Sequence, residues 1–132
     1  MEEKYAFRVP QKAVIKKDGK YLLVKRSSTA KHFPNYWDLP GGKLEHGEEM
    51  SYGLAREIFE ETNLVAKVLS QLFVYLEKSS HAVVILFECE LISGELSLSK
   101  EHTEYRWCTK EEALKLQLEP FLEAFFRQTN IK

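Results

Sequence analysis

Residues 42–64 read GKLEHGEEMSYGLAREIFEETNL, and this stretch decides the fold class. After a Pro40-Gly41-Gly42 turn, Met50, Leu54, Ala55 and Ile58 recur at helical spacing and form an apolar arc when wound at roughly 100° per residue. The spacing predicts a helix from about Glu49 to Thr62. Glu61 sits at the edge of that arc with Glu57 beside it, so these carboxylates border a packed surface rather than the far side of the helix. Glu57, Glu60 and Glu61 share one face, and like charges three or four residues apart repel by roughly 0.2–0.5 kcal/mol per pair. A bound cation reverses that sign. Hard divalent ions take oxygen ligands and work beside substrate phosphates, so the cluster points to phosphoryl chemistry.

The order of residues is also specific. From Gly42, five residues lead to Glu48, seven more to Arg56-Glu57, and then follow Ile58, Phe59, Glu60-Glu61, Thr62, Asn63 and Leu64. This resembles the Nudix box, G-x5-E-x7-R-E-U-x-E-E-x-G-U with U an aliphatic residue, and every specified position matches except Asn63, where the family has glycine. Asn is the usual substitute for Gly in the left-handed turn that ends a helix, so the turn is expected to survive. The flanks Trp37-Asp38-Leu39-Pro40 and Glu101-His102-Thr103-Glu104-Tyr105-Arg106-Trp107 also look like family segments.

The resemblance implies an α/β fold, a Nudix-type α/β/α sandwich around a mixed β-sheet, and a set of roles. Glu57, Glu60 and Glu61 would hold Mg²⁺, with Mn²⁺ as a possible substitute, and the Gly41 carbonyl would be a further ligand. Arg56 would orient the glutamates by ion pairing, a role suited to its planar guanidinium. The general base is left open between Glu57 and Glu101, which could also be a metal ligand, with Glu104 as an alternative in the same loop. Arg26, at the end of the second strand, stands where related enzymes contact substrate phosphate. Phe33, Tyr36 and Trp37 read as packing around the Pro-Gly-Gly turn rather than as a stacking site.

The implied activity is Mg²⁺-dependent hydrolysis of nucleoside diphosphate-linked compounds, most simply a nucleoside triphosphate pyrophosphohydrolase of the MutT-like kind. ADP-ribose or nucleotide-sugar hydrolysis is the alternative activity, although the proline that marks ADP-ribose hydrolases downstream of the box is absent, with Ser79 and Ser80 in its place. A catalytically silent domain that senses a nucleotide or docks a partner is the alternative class; such domains usually lose box glutamates, and all are kept here.

Composition bounds the rest. A chain of 132 residues with 44% hydrophobic content fits one domain, 1–132, around one core. A formal net charge of −1 supplies no basic field for a nucleic-acid polymer or an anionic membrane, leaving a small nucleotide as the expected partner. The first twelve residues lack the apolar core of a signal peptide, and no stretch approaches the ~20 apolar residues of a membrane span, so the chain reads as a cytoplasmic monomer or homodimer. Cys89 and Cys108 lack zinc or redox spacing and read as buried free thiols, and the four histidines are too scattered for a metal site.

Asp18-Gly19 between the apolar runs 11–17 and 20–26 predicts a tight hairpin. Residues 27–36 read as a loop and 37–39 as a short extended piece. Further strands are expected at 64–76, 82–91, 95–98 and 105–108, with 82–91 central because its first half is continuously apolar. Thr109 with Glu112 makes a capping box, and Pro120 opens a last helix whose Phe121, Leu122, Phe125 and Phe126 face the core.

Overall fold

The structure is a computed structural model that describes residues 6–128. Strands β1 (Gln11–Lys17) and β2 (Lys20–Arg26) form the expected hairpin. Asp18 and Gly19 both take positive φ, 54° and 78°, which is the backbone that a two-residue turn between right-twisted strands requires. β1 lies inside the sheet. It pairs with β2 on one side, and on the other in parallel with β6 (Ala82–Ser93) in the register Gln11↔Ile85 to Ile15↔Cys89. β6 in turn carries the long antiparallel strand β5 (Val65–Glu77), so β6 is interior, as its apolar run implied. Two short strands, β3 (Trp37–Asp38) and β4 (Gly41–Gly42), pair with β2 and β1, and β7 (His102–Cys108) pairs with β2.

Helices cover both faces of this mixed sheet, which gives the expected α/β/α layering. α1 (Met50–Thr62) sets Leu54 and Ile58 against Ala13, Ile15, Leu22, Ala66 and Cys89. On the opposite face α3 (Pro120–Phe126) buries Phe121, Leu122, Phe125 and Phe126 against Val14, Tyr21, Leu23, Val84 and Leu86. The short α2 (Lys110–Ala113) begins with a reciprocal capping box, Thr109 and Glu112 each bonding the other's backbone N–H. Both cysteines are buried and free. Among the described residues no helix is long and apolar enough to cross a membrane.

Two local expectations need correction. Met50, placed on the apolar arc, is exposed, because it occupies the first turn of α1 where the helix projects past the sheet. Residues 95–98 form no strand. Instead the Ser97 N–H bonds to the Thr62 carbonyl at 2.9 Å and the Ser99 N–H to the Glu61 carbonyl at 3.0 Å. The segment thus satisfies carbonyls that the end of α1 leaves without intrahelical partners, and its donors are spent there rather than in the sheet.

Asn63 takes the left-handed conformation expected of it, φ 64° and ψ 15°, and its N–H returns to the Phe59 carbonyl. Its side chain adds a bond that the sequence did not disclose, Nδ2 to the Glu95 carbonyl at 3.0 Å. Asn63→Gly therefore trades backbone relief against an exposed hydrogen bond, and the net change in stability is expected to stay within about 1 kcal/mol in urea melts, with activity unchanged.

Candidate active site

β4 and α1 create the site. Gly41 has φ of +144°, and a Cβ there would collide with the Gln11 carbonyl of the adjacent strand, so only glycine lets β4 lie this close to β1. A Cβ on Gly42 would stand 2.9 Å from the Glu57 carboxylate. The bare backbone of β4 thus meets the glutamate face of α1. Glu61, only 5% exposed, accepts the Gly41 N–H at 3.1 Å and is hydrogen-bonded to Glu57.

Burial, the Glu57 contact and the charge on Asp38 push the Glu61 carboxyl up to about 9, against the opposing pull of Lys12 and the Gly41 N–H. A carboxyl this buried is one that a further positive charge beside it would ionise. Glu60 stands apart at 55% side-chain exposure, drawn out by Arg56 Nη1 at 3.0 Å. Among the described residues no three acidic, His or Cys side chains converge as a preformed chelate. The donors nevertheless fit a hard cation: three carboxylates on one face, two of them pressed against β4, and a buried member, Glu61, that has no cation at hydrogen-bond distance among the described residues.

Arg56 pairs with three glutamates at once. Its Nε and Nη2 grip both oxygens of Glu48, the latter at 3.0 Å, while Nη2 also reaches Glu57 at 3.3 Å. One guanidinium therefore fixes Glu48, Glu57 and Glu60, and these contacts, Glu48 first, raise its own affinity for its proton.

A second cluster lies on the other side of β1. Asp38 is fully buried and accepts from Lys12 Nζ at 3.0 Å and Arg26 Nη1 at 3.1 Å, with Leu39 N–H at 2.7 Å. Burial opposes its ionisation, but Lys12, Glu119 and Arg26 prevail and bring it down to about 2. Glu119, 9% exposed, is driven the other way, to about 9, by burial and the Asp38 charge, and its Oε2 stands 3.8 Å from Arg26 Nη1 without a hydrogen bond. His102 is also buried with Nδ1 unpartnered, and burial lowers it to about 4. Lys12 joins the two clusters. Buried, it keeps its proton against desolvation because Asp38, Glu119 and Glu61 surround it. Arg8, Lys12, Arg26, His32, Phe33 and Glu119 line a narrow cavity of about 70 Å³ over this cluster.

The other expected residues fall as follows. Arg26 turns inward, its Nε donating to the His32 carbonyl at 2.8 Å, so its guanidinium is largely engaged by protein. Glu101 is exposed in the loop before β7, its carbonyl bonded by the Ser27 N–H beside the end of β2. Glu104 lies on β7 beside Arg106 at 3.4 Å rather than in that loop, because β7 begins at His102. Trp37 is buried in the core, while Phe33 and Tyr36 meet edge-on at 5.3 Å. Lys12 and Glu119 carry no sequence signal for this cluster. Asp38 alone carried a signal, by preceding Leu39-Pro40-Gly41-Gly42.

The box, the glycine strand and the helix glutamates match a family model, the NUDIX domain, over residues 11–129. The chain belongs to that family. It is 39% identical over 95 residues to an ADP-ribose pyrophosphatase of Methanocaldococcus jannaschii, an alignment covering 69% of this chain but 55% of that relative's length. It is 33% identical over 119 residues to a CTP pyrophosphohydrolase of Escherichia coli, covering 86% of this chain and 87% of the relative. Among solved structures, a MutT protein from Methanosarcina mazei superposes with a TM-score of 0.77 at 30% identity, covering 92% of this chain and 91% of the other. In the NUDIX frame the Gly41–Gly42 strand and the α1 glutamates form one face of the candidate site.

Proposed function

We propose that this NUDIX chain hydrolyses the phosphoanhydride of a nucleoside diphosphate-linked compound, and that its substrate is a nucleoside triphosphate cleaved to a nucleoside monophosphate and pyrophosphate. The observation that carries the reading is the buried Glu61, held against the bare backbone of β4 beside Glu57. Glu57, Glu60, Glu61 and the Gly41 carbonyl would hold Mg²⁺ or Mn²⁺, which when bound supplies charge neutralisation to phosphoryl oxygens. Arg56 keeps the carboxylates in place. A carboxylate takes a proton from the attacking water as the anhydride P–O bond breaks, and Glu57 is favoured for this over Glu101 because it already lies in the cluster.

The cavity above Asp38 suits the nucleoside end. Its Glu119 carboxyl is buried and hydrogen-bonded to Asp38, so it offers an acceptor oxygen to a polar edge of the ligand beside Arg26 and Lys12. The near full-length match to a CTP pyrophosphohydrolase supports the triphosphate reading. The higher identity to an ADP-ribose pyrophosphatase supports that substrate as the second reading.

A panel of nucleoside triphosphates, ADP-ribose and nucleotide sugars, assayed by product identity with and without Mg²⁺, separates them. Monophosphate and pyrophosphate released from a triphosphate only with metal is the expected result. Cleavage of ADP-ribose alone moves the substrate, and no turnover of any member leaves a silent binding domain. In the same assay Glu101→Gln is expected to retain turnover within about tenfold of wild type, whereas a loss of ~10²-fold or more makes the loop carboxylate the base.

A further inference from the structure

The long strand β5 pairs only with β6 among the described residues, so its other edge is the open end of the sheet. Natural sheets guard such edges with proline, inward charges or short length, because unpaired N–H and C=O groups recruit other strands. β5 carries no proline over its thirteen residues, and what it sets against recruitment is Lys67, Glu77 and the register shifts between Val68 and Phe73. It presents Leu69, Leu72, Val74 and Leu76 to solvent at 42–48% exposure, next to an open groove of about 1100 Å³ lined by Leu69, Leu72, Ile92 and Phe125. We propose that this edge is covered by a second copy of the chain, β5 pairing antiparallel with the partner's β5 about a two-fold axis at Leu72.

The register follows from side-chain faces and charge. Phe73 and Tyr75 pack with the α3-side core, and Glu77 pairs with Ala82 of that core, whereas Ala66 and Val68 pack toward α1. Pairing with β6 places Lys67 opposite Glu90, one residue from Ala66, and so on the α3 side. The register shifts between Val68 and Phe73 compensate one another, so odd-numbered residues of both outer arms share the α3 face. Paired residues on antiparallel strands point to the same face, which allows only registers that match odd with odd. Of these, the axis at Leu72 sets Lys67 directly against Glu77 of the partner, twice by symmetry, and matches Leu69 with Tyr75 and Val68 with Leu76. Moving the axis by one residue puts Lys67 against Tyr75 or Ser79 and leaves Glu77 facing an aliphatic side chain. The irregular stretch falls at the axis, where the two regular arms do not need it.

Sedimentation equilibrium of the full chain tests the contact. A dimer is expected at about 100 µM, and Leu72→Asp, an exposed change that leaves the thermal melt cooperative, is expected to weaken it by about 100-fold or more. Lys67→Glu and Glu77→Lys each place two like pairs in register and should weaken association by about tenfold, while the double charge swap should restore it to within about threefold of wild type. A chain that stays monomeric at that concentration overturns the proposal. So does a dimer indifferent to Leu72→Asp, and a double swap no tighter than the single changes overturns the register.

Discussion

Glu61→Gln is expected to lower turnover by ~10³-fold or more while making the metal-free protein more stable above about pH 5. The two effects share one cause. Burial raises the folded carboxyl to about 9, whereas in the unfolded chain it ionises near its ordinary value of 4.5. Between those values the folded state holds a proton that the unfolded state has released, so stability is greatest below pH 4.5 and declines as pH rises toward 9. Glutamine keeps the shape and the bond from Gly41 N–H, and cannot ionise. Glu119 shifts in the same direction, so the variant should lose about one proton's worth of the pH slope rather than all of it. A divalent ion should flatten the wild-type slope as well, by taking the place of the proton. Urea melts from pH 5 to 9, with EDTA and with Mg²⁺, measure this alongside turnover. Wild-type turnover in the variant, or a slope identical to wild type, removes Glu61 from the metal site.

Why so much of that site can be read in the chain is a matter of locality. Arg56, Glu57, Glu60 and Glu61 lie within six consecutive positions of one helix, and helical geometry alone puts them on a common side. Gly41 and Gly42 meet them because a short loop returns β4 to the same end of α1. The hairpin at Asp18-Gly19, the capping box at Thr109 and the apolar face of α3 were legible for the same reason, each being settled by neighbours in sequence. The second cluster is not local. Lys12 reads as a solvent lysine in an alternating strand, and its burial arises only because β1 is flanked by β2, β4 and β6. Its partners come from twenty-six residues away in Asp38 and from the start of α3 in Glu119. Glu119 itself looks like an ordinary residue before a helical proline. Arg26 stands out in the sequence by its place at the end of β2, but the side chain's direction depends on Asp38 and His32, which no periodicity reports.

Asp38→Ala is expected to cost ~3–5 kcal/mol, a large part of the stability of a domain this size. The carboxylate is the shared acceptor for Lys12 and Arg26, and it accepts from the Leu39 N–H with its other oxygen. Its removal leaves Lys12 buried with no ion pair at hydrogen-bond distance, which is the expensive half of breaking a buried pair. Lys12→Met in the Asp38→Ala background should recover part of the loss, because the stranded charge goes with it. The acid limb has the opposite sign to that of Glu61. Asp38 is depressed to about 2 from an ordinary 3.8, so its contribution is fully present above 3.8 and is lost as pH falls through 2. Asp38→Asn should therefore be less stable than wild type at pH 7 and converge on it only as pH falls below about 2. The same residue precedes Leu39-Pro40-Gly41, so slack at Asp38 reaches the strand that holds Glu61, and turnover should fall with stability even though Asp38 touches no carboxylate of α1. Urea melts of the three variants at pH 7, with the acid series for Asp38→Asn, decide the matter: a loss below about 1 kcal/mol for Asp38→Ala means that water or a rearranged Glu119 carries the charge of Lys12, and that the buried pair does not brace the site.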